Sequence, residues 1–365
     1  MSQLILNGRF LTRAATGVDR VAMELVAALL TRGLPAPFEG LVTLAPNAPV
    51  VDSTERPAAM LSTLRPTTSG LNGHPWEQWA LARAQPQDWL LSLCNTGPIT
   101  RARQVAMIHD AQVFTQPQSY SRAFRTLYHL FQPRLARKAA LVLTVSDYSK
   151  RELERLKVVP EGKCQVVHNG ADHILRVDPD ETILQRHGLT PGGYLLAIGS
   201  LAAHKNLPMA VAAANARPDT SIPLVIAGGG NSSVFAEAGI AASETVKPIG
   251  RVSDAELRAL YGNATALVFP SFTEGFGLPA AEAMMCGAPV IASTGGAIPE
   301  VCGEAALLLD PNDREGWTAA LTKVCADPAL RHRLSEAGHT HVARFTWAHA
   351  ADMLAGHLAA LPGPR

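Results

Sequence analysis

Short apolar runs of strand length recur along the chain, at residues 41–44, 89–93, 105–108, 141–145 and 165–167. Between several of them the pattern changes to a helical period. In DRVAMELVAALL (19–30), Val21, Leu25 and Leu29 fall on one face, and 121–138 and 147–157 read the same way. Strands that are apolar on both faces and alternate with helices predict a parallel sheet covered by helices. A second series follows the polar, Gly- and Pro-containing stretch DPDETILQRHGLTPGG (178–193). Its strands are expected at 194–198, 223–227, 246–249, 266–269, 289–292 and 305–309. A helix over 253–261 opens with Ser253 as N-cap and Glu256 three residues on, the pattern of a capping box. The segments 314–326, 328–344 and 347–360 read as helices throughout, and the final LPGPR (361–365) is expected to fray. The fold class is therefore α/β, two Rossmann-like domains linked near 172–190, with ligands expected beyond the C-terminal ends of the strands.

Length agrees, since 365 residues suit two domains at roughly 100–200 residues each. Only 17% of residues are charged and 47% are hydrophobic, which permits large cores and excludes a chain disordered over most of its length. The 32 basic and 31 acidic residues leave a net charge of +1, so no global field draws the chain to nucleic acid, and an anion must be met by a local site. Five cysteines (94, 164, 286, 302, 325) are widely spaced with no CxxC pair, which fits reduced thiols in a cytoplasmic protein. The three apolar residues Leu4, Ile5 and Leu6 precede Asn7 and are too few for a signal-peptide core, and no run approaches the ~18 apolar residues of a membrane span.

The most informative stretch is FPSFTEGFGLPAAE (269–282), where a strand end passes through a glycine-rich loop into a helix. Pro279 suits a first helical turn, and Gly275 and Gly277 leave backbone N–H groups accessible beside the positive end of the helix dipole, a cradle for phosphate. Glu274 and Glu282 flank that helix start. A carboxylate can accept both hydroxyls of a ribose, the task expected of Glu282, while Glu274 would meet sugar hydroxyls. The plainer readings are a helix-dipole contact for Glu282 and a solvated turn for Glu274. A paired-carboxylate glycosidase is a further rival, opposed by the adjoining phosphate cradle. IGSLAAHKNL (198–207) supplies a complementary cation: Lys205 follows a strand, can neutralise a diphosphate, and precedes Asn206, a candidate helix cap. Taken alone, Lys205 would read as a surface lysine.

Other positions carry weaker signals. VIAGGG (225–230) ends a strand in glycines, at Gly228 for one, that allow close backbone approach to a nucleotide or simply make a tight turn. In VAMIHD (105–110), His109 stands at a strand terminus, where it can donate to a sugar hydroxyl or developing charge, or serve as a structural histidine. Gly17 opens the first long helix. His168 with His173, and His339 with His341, lack a third ligand at usual spacing, so no metal site is expected.

EGFGLPAAEAMMCGAPVIAS (274–293) resembles the E-x7-E signature of the family-4 retaining glycosyltransferases. The resemblance continues through NGRFLTRAATGVDR (7–20), IHD (108–110), TVSDYSKREL (144–153), VVHNGAD (166–172), GSLAAHKNL (199–207) and GRVSDAELRALY (250–261). It implies the GT-B fold: an acceptor domain over 1–175, a nucleotide-sugar donor domain over 176–345 facing it across a central cleft, and a helix over 346–365 crossing back to the first domain. It further implies catalytic roles for His109, Lys205 and Glu274. Donor contacts would come from Gly17, Ser200, His204, Lys205, Gly228, Val252, Glu274, Gly275, Phe276, Gly277, Leu278 and Glu282, with no metal and no cofactor beyond the donor itself. Many relatives carry Arg where this chain has His204 or Ser200, which leaves Lys205 more isolated. A Lys-Asn pair at this place favours GDP-mannose. The expected activity is transfer of a hexose, mannose first, to a glycan or lipid-linked acceptor in polysaccharide biosynthesis, without nucleic acid and with peripheral contact at the inner membrane face. A sugar-nucleotide epimerase of the same fold and a non-catalytic sugar-nucleotide-binding subunit are the alternatives. A phosphorylase would need a longer chain, and a structural scaffold would neither bind nor turn over a sugar nucleotide.

Overall fold

Seven strands build the first sheet in the computed structural model, which describes residues 2–51, 57–229 and 242–362. They are β1 (Ser2–Asn7), β2 (Phe38–Ala45), β3 (Leu64–Pro66), β4 (Trp89–Ser92), β5 (Gln104–Met107), β6 (Leu141–Thr144) and β7 (Cys164–Val166). All pair in parallel in the order β3-β2-β1-β4-β5-β6-β7. Two of these strands are not expected from sequence. β1 is central, with Leu4, Ile5 and Leu6 wholly buried, yet its apolar run is only three residues long. β3 is a three-residue edge strand whose Arg65 and Pro66 face solvent; an edge tolerates a proline because the outward side of the ladder needs no donor.

This first unit comprises the chain up to Gly170 and resumes at Thr346. The helix Trp347–Ala359 packs on the helix Gly17–Arg32, where Arg32 pairs with Asp352 at 2.5 Å. Gly170 makes room for this return: a Cβ there would lie 2.2 Å from the Trp347 backbone nitrogen. Trp347, Ala351, Leu354 and Leu358 are buried, an apolar stripe at helical spacing.

The second unit runs from Ala171 to Phe345. Its strands are β8 (Leu195–Ile198), β9 (Leu224–Ala227), β10 (Val246–Gly250), β11 (Ala266–Phe269), β12 (Val290–Ser293) and β13 (Leu307–Leu309). They form a parallel sheet in the order β10-β9-β8-β11-β12-β13. One face packs Leu195, Ala197, Ile226, Val268 and Ile291 against Ala210, Ala213 and Ala214 of the helix Leu207–Asn215, and against Trp317 and Leu321 of the helix Arg314–Ala326. Alanines bring the helix Leu207–Asn215 close to the sheet; each large apolar side chain buried here contributes roughly 1.5–3 kcal/mol.

The stretch 172–190, a linker by its composition, is instead folded into this unit. It holds a 3-10 turn Asp172–Arg176 and a short helix Thr182–Arg186, and Arg258 donates to the carbonyls of Leu175 and Val177. The capping box forms as expected: the Ser253 hydroxyl accepts from the Glu256 N–H at 3.2 Å, the Ser253 N–H donates to Glu256 at 2.7 Å, and the helix runs Asp254–Asn263. Gly230 of the VIAGGG motif and the last three residues of the terminal LPGPR lie outside the described residues.

Candidate active site

The strand order of the second sheet reverses between β8 and β11, and loops at such a switch point diverge to leave a crevice above the strand ends. Lys205 and Glu274 come from these two loops. After β8 the chain makes a short 3-10 turn, Ala203–Lys205, and the Lys205 stem lies where a Cβ on Gly199 would meet it at 3.5 Å. After β11 the chain reaches Glu274, and the Phe272 N–H donates to the His204 carbonyl at 2.7 Å, which ties the loops together. The Lys205 ammonium then meets both carboxylate oxygens of Glu274, at 2.8 and 3.1 Å, and lies 5.8 Å from the centre of the Phe269 ring. Glu274 is only 8% exposed and the Lys205 side chain 20%, so neither is the solvated residue that each would be in isolation. His204 is buried too, and burial together with the Lys205 charge lowers its pKa, which keeps the ring neutral beside the lysine at neutral pH.

Asn206 does not cap the next helix through its side chain. It sits in the left-handed region at φ +51, and its side-chain amide donates to the carbonyls of Pro270 (3.1 Å) and Pro311 (2.9 Å). The residue is used as a clamp between loops, a role that spacing to the next helix does not reveal.

The cradle forms at the start of the helix Leu278–Met285. Gly277 is its N-cap at φ +103, a conformation that disfavours any side chain, and Pro279 stands in the first turn. The first-turn N–H groups have no intrahelical acceptor and bear the positive end of the dipole. The Phe276 ring turns away into the core, edge-on to Phe345 at 5.4 Å, while its backbone belongs to the loop with Gly275. Gly295 and Gly296 let the loop after β12 lie flat on residues 271–274: a Cβ on Gly296 would be 2.4 Å from the Glu274 nitrogen, and the Ala297 N–H donates to the Glu274 carbonyl at 2.9 Å. Gly228 meets the same demand one strand over, since its Cβ would lie 2.9 Å from the Gly199 carbonyl oxygen. Its immediate use is contact between two loops of the protein. Ser200 is exposed in the loop after β8, and Val252 is half-buried between β10 and the following helix.

Glu282 lies one turn beyond Leu278, 7% exposed. It accepts from the Tyr261 hydroxyl at 3.0 Å and faces His173 Nε2 at 3.1 Å. His173, weighed by sequence as a metal ligand, is thus engaged with a carboxylate, and His341 Nε2 lies 3.0 Å from the Val301 carbonyl oxygen.

Gly17 and His109 belong to the first unit. Gly17 opens its helix behind the Thr16 and Asp19 capping box, with open space where a Cβ would stand. His109 is 5% exposed, and its Nε2 lies 2.7 Å from the Leu93 carbonyl oxygen. A carbonyl only accepts, so Nε2 carries the hydrogen and Nδ1 holds a lone pair when the ring is neutral. Burial pushes its pKa down to about 4. In the neutral ring the Nε2 hydrogen is therefore engaged by Leu93, and Nδ1 is left as an acceptor. A polar network at the end of β1 has no counterpart among the sequence expectations: the Arg9 guanidinium is 3.0 Å from Glu77, Asn7 donates to Glu77 at 2.8 Å, and Arg9 donates to Thr96 at 2.8 Å. Glu77 is 1% exposed, and His74, Arg9 and Asn7 together hold its carboxyl below the usual range against the cost of burial. No local motif marks these residues, which meet only when β1 and β4 pair.

The second sheet thus brings a lysine and two buried carboxylates together around a helix start. Residues 15–174 match the family described as Glycosyltransferase Family 4, and residues 180–341 match Glycosyl transferases group 1. The chain is 33% identical over 257 residues to the O-antigen chain mannosyltransferase B of Escherichia coli, covering 67% of each protein. It is 33% identical over 263 residues to the MMP alpha-(1->4)-mannosyltransferase of Mycolicibacterium hassiacum, covering 68% of this chain and 60% of that protein. Among solved structures, Anabaena HepE in complex with UDP and glucose superposes with a TM-score of 0.74 at 15% identity, covering 99% of this chain and 100% of that one, and so shares the fold. The chain belongs to the glycosyltransferases built from a family 4 domain followed by a group 1 domain. That membership favours a transferase over an epimerase or a non-catalytic subunit.

The depressed His109 pKa carries a stability consequence. Between pH 6.5 and 4 the unfolded chain binds a proton at this ring and the native protein does not, so stability is present above pH 6.5 and is lost as pH falls toward 4. The loss amounts to about 3 kcal/mol. Denaturant unfolding of the protein and of His109→Gln across this range should show a shallower pH slope in the variant; equal slopes would contradict the assignment.

Proposed function

We propose that this chain transfers mannose, with retention of anomeric configuration, from GDP-mannose to a glycan or lipid-linked acceptor in polysaccharide biosynthesis. The observation that carries the reading is the Lys205 and Glu274 pair beside the mouth of the Leu278–Met285 helix. A donor diphosphate would take up the Lys205 ammonium and first-turn N–H groups, while Glu274, released in part from Lys205, would accept sugar hydroxyls. Glu282 would accept the ribose hydroxyls. The two mannosyltransferase relatives support the sugar, and the Lys205-Asn206 pair supports GDP. HepE, in complex with UDP and glucose, keeps a uridine donor as the competing outcome.

In the proposed reaction the acceptor hydroxyl oxygen bonds to the anomeric carbon as the bond from that carbon to the β-phosphate oxygen breaks. The electron pair stays on the diphosphate, and the acceptor proton passes to that leaving oxygen. Lys205 and the helix start stabilise the charge that grows there, and a single fixed donor of this kind is worth about 100-fold or more in rate. Lys205→Met should lower kcat by about that factor, and Glu282→Ala should weaken donor affinity at least about 10-fold, given roughly 1.5–3 kcal/mol for each hydrogen bond to a charged group. Thermal shifts with GDP, UDP, dTDP and ADP read the base: selective stabilisation by GDP is expected, and a UDP preference would overturn the donor. Unchanged affinity and turnover in Glu282→Ala would overturn the site.

Peripheral membrane contact forms part of this reading. No helix among the described residues is long and apolar enough to cross a membrane. The sequence has no acidic residue between Asp110 and Asp147, and the helix Arg122–Lys138 carries Arg122, Arg125, Arg134, Arg137 and Lys138. Leu130 on that helix is 45% exposed, and Trp79 on the neighbouring segment, joined through the His74 and Phe131 ring contact, is 56% exposed. Basic charge with exposed apolar tips suits an anionic bilayer, where each cation near the surface contributes about 1 kcal/mol. The protein should sediment with vesicles containing phosphatidylglycerol and not with phosphatidylcholine alone. Arg122→Glu with Arg134→Glu should abolish this; equal binding to both vesicles would contradict it.

A further inference from the structure

The Glu282 carboxylate is held from two sides by residues on separate elements of the second unit. Tyr261, at the end of the helix Asp254–Asn263, is fully buried and donates its hydroxyl to Oε2 at 3.0 Å. Burial and the Glu282 charge push the phenol well above its ordinary range, so it remains a donor. His173, in the 3-10 turn Asp172–Arg176, is 5% exposed and places Nε2 3.1 Å from Oε1. A carboxylate only accepts, so the imidazole presents its N–H there whether the ring is neutral or charged.

An ionised carboxylate offers about four lone-pair directions, two on each oxygen. Tyr261 fills one on Oε2 and His173 fills one on Oε1. One direction on each oxygen is left, which is the number that two vicinal hydroxyls require. We infer that Tyr261 and His173 are positioning residues that fix Glu282 with one acceptor site per oxygen, so that the enzyme selects a ribonucleotide donor through its paired 2′- and 3′-hydroxyls. The inference rests on the reading of Glu282 as the ribose acceptor and adds the groups that make that carboxylate selective. Glutamate has three rotatable side-chain bonds; holding it before the donor arrives removes ordering that binding would otherwise have to supply.

The test is calorimetric binding of GDP and 2′,3′-dideoxy-GDP, with UDP and 2′,3′-dideoxy-UDP in parallel, to the full chain. The wild-type protein should bind the ribonucleotide at least about 10-fold tighter than its dideoxy counterpart. Tyr261→Phe and His173→Leu should each shrink that ratio about threefold or more while leaving dideoxy affinity within about twofold of wild type. His173→Gln, whose amide N–H can stand near the place of Nε2, should restore most of the ratio. Should Tyr261→Phe fail to fold, His173→Leu carries the same comparison. Equal weakening of both nucleotides in the variants would make the two residues merely structural and overturn the inference, while the Glu282 reading would stand. A wild-type protein that does not distinguish the two nucleotides would overturn both.

Discussion

A buried or nearly buried ammonium must have a counter-charge, and at the switch point of the second sheet Lys205 finds it in Glu274. This one contact bears on how the rest of the second unit is arranged. It requires the loops after β8 and β11 to close on one another, which the His204 carbonyl, the Asn206 amide and the paired glycines 295 and 296 bring about. Breaking the pair from one side leaves a buried charge alone, a loss of roughly 3–5 kcal/mol. Under the proposed function, an anionic diphosphate would relieve that loss as it draws the lysine away, because the incoming charge would replace the carboxylate. The resting ion pair thus keeps the cation in place.

The two units use buried polarity differently. In the second, the carboxylates Glu274 and Glu282 each keep accepting capacity beyond their protein partners. In the first, Glu77 is enclosed by Arg9, Asn7, Thr96 and His74, and His109 is anchored to the Leu93 carbonyl oxygen. This network ties the residues that follow β1 to those that follow β4.

Much of this is readable along the chain. Short, largely apolar runs mark eleven of the strands, most of them buried on both faces as a parallel sheet covered by helices requires. The capping box at Ser253 and the proline in the first turn at Pro279 follow local rules, and both form. What escapes is set by pairing over long separations. β1 carries only three consecutive apolar residues among its six, and β3 is an edge strand with no apolar run at all. Asn206 reads as a cap but bonds across to Pro270 and Pro311, and 172–190 reads as a linker because its packing partners, Ala255 and Arg258, lie some seventy to eighty residues on. Lys205 and Glu274 can be named as a pair from their motifs; that they touch in the resting protein is not legible there, since 69 residues separate them.

A crystal structure with an intact nucleoside diphosphate sugar bears most directly on the central claim. The account predicts the β-phosphate within hydrogen-bond distance of Lys205 Nζ and of the backbone N–H groups at Gly277 and Leu278. A diphosphate seated elsewhere, with Lys205 still closed on Glu274, would contradict it.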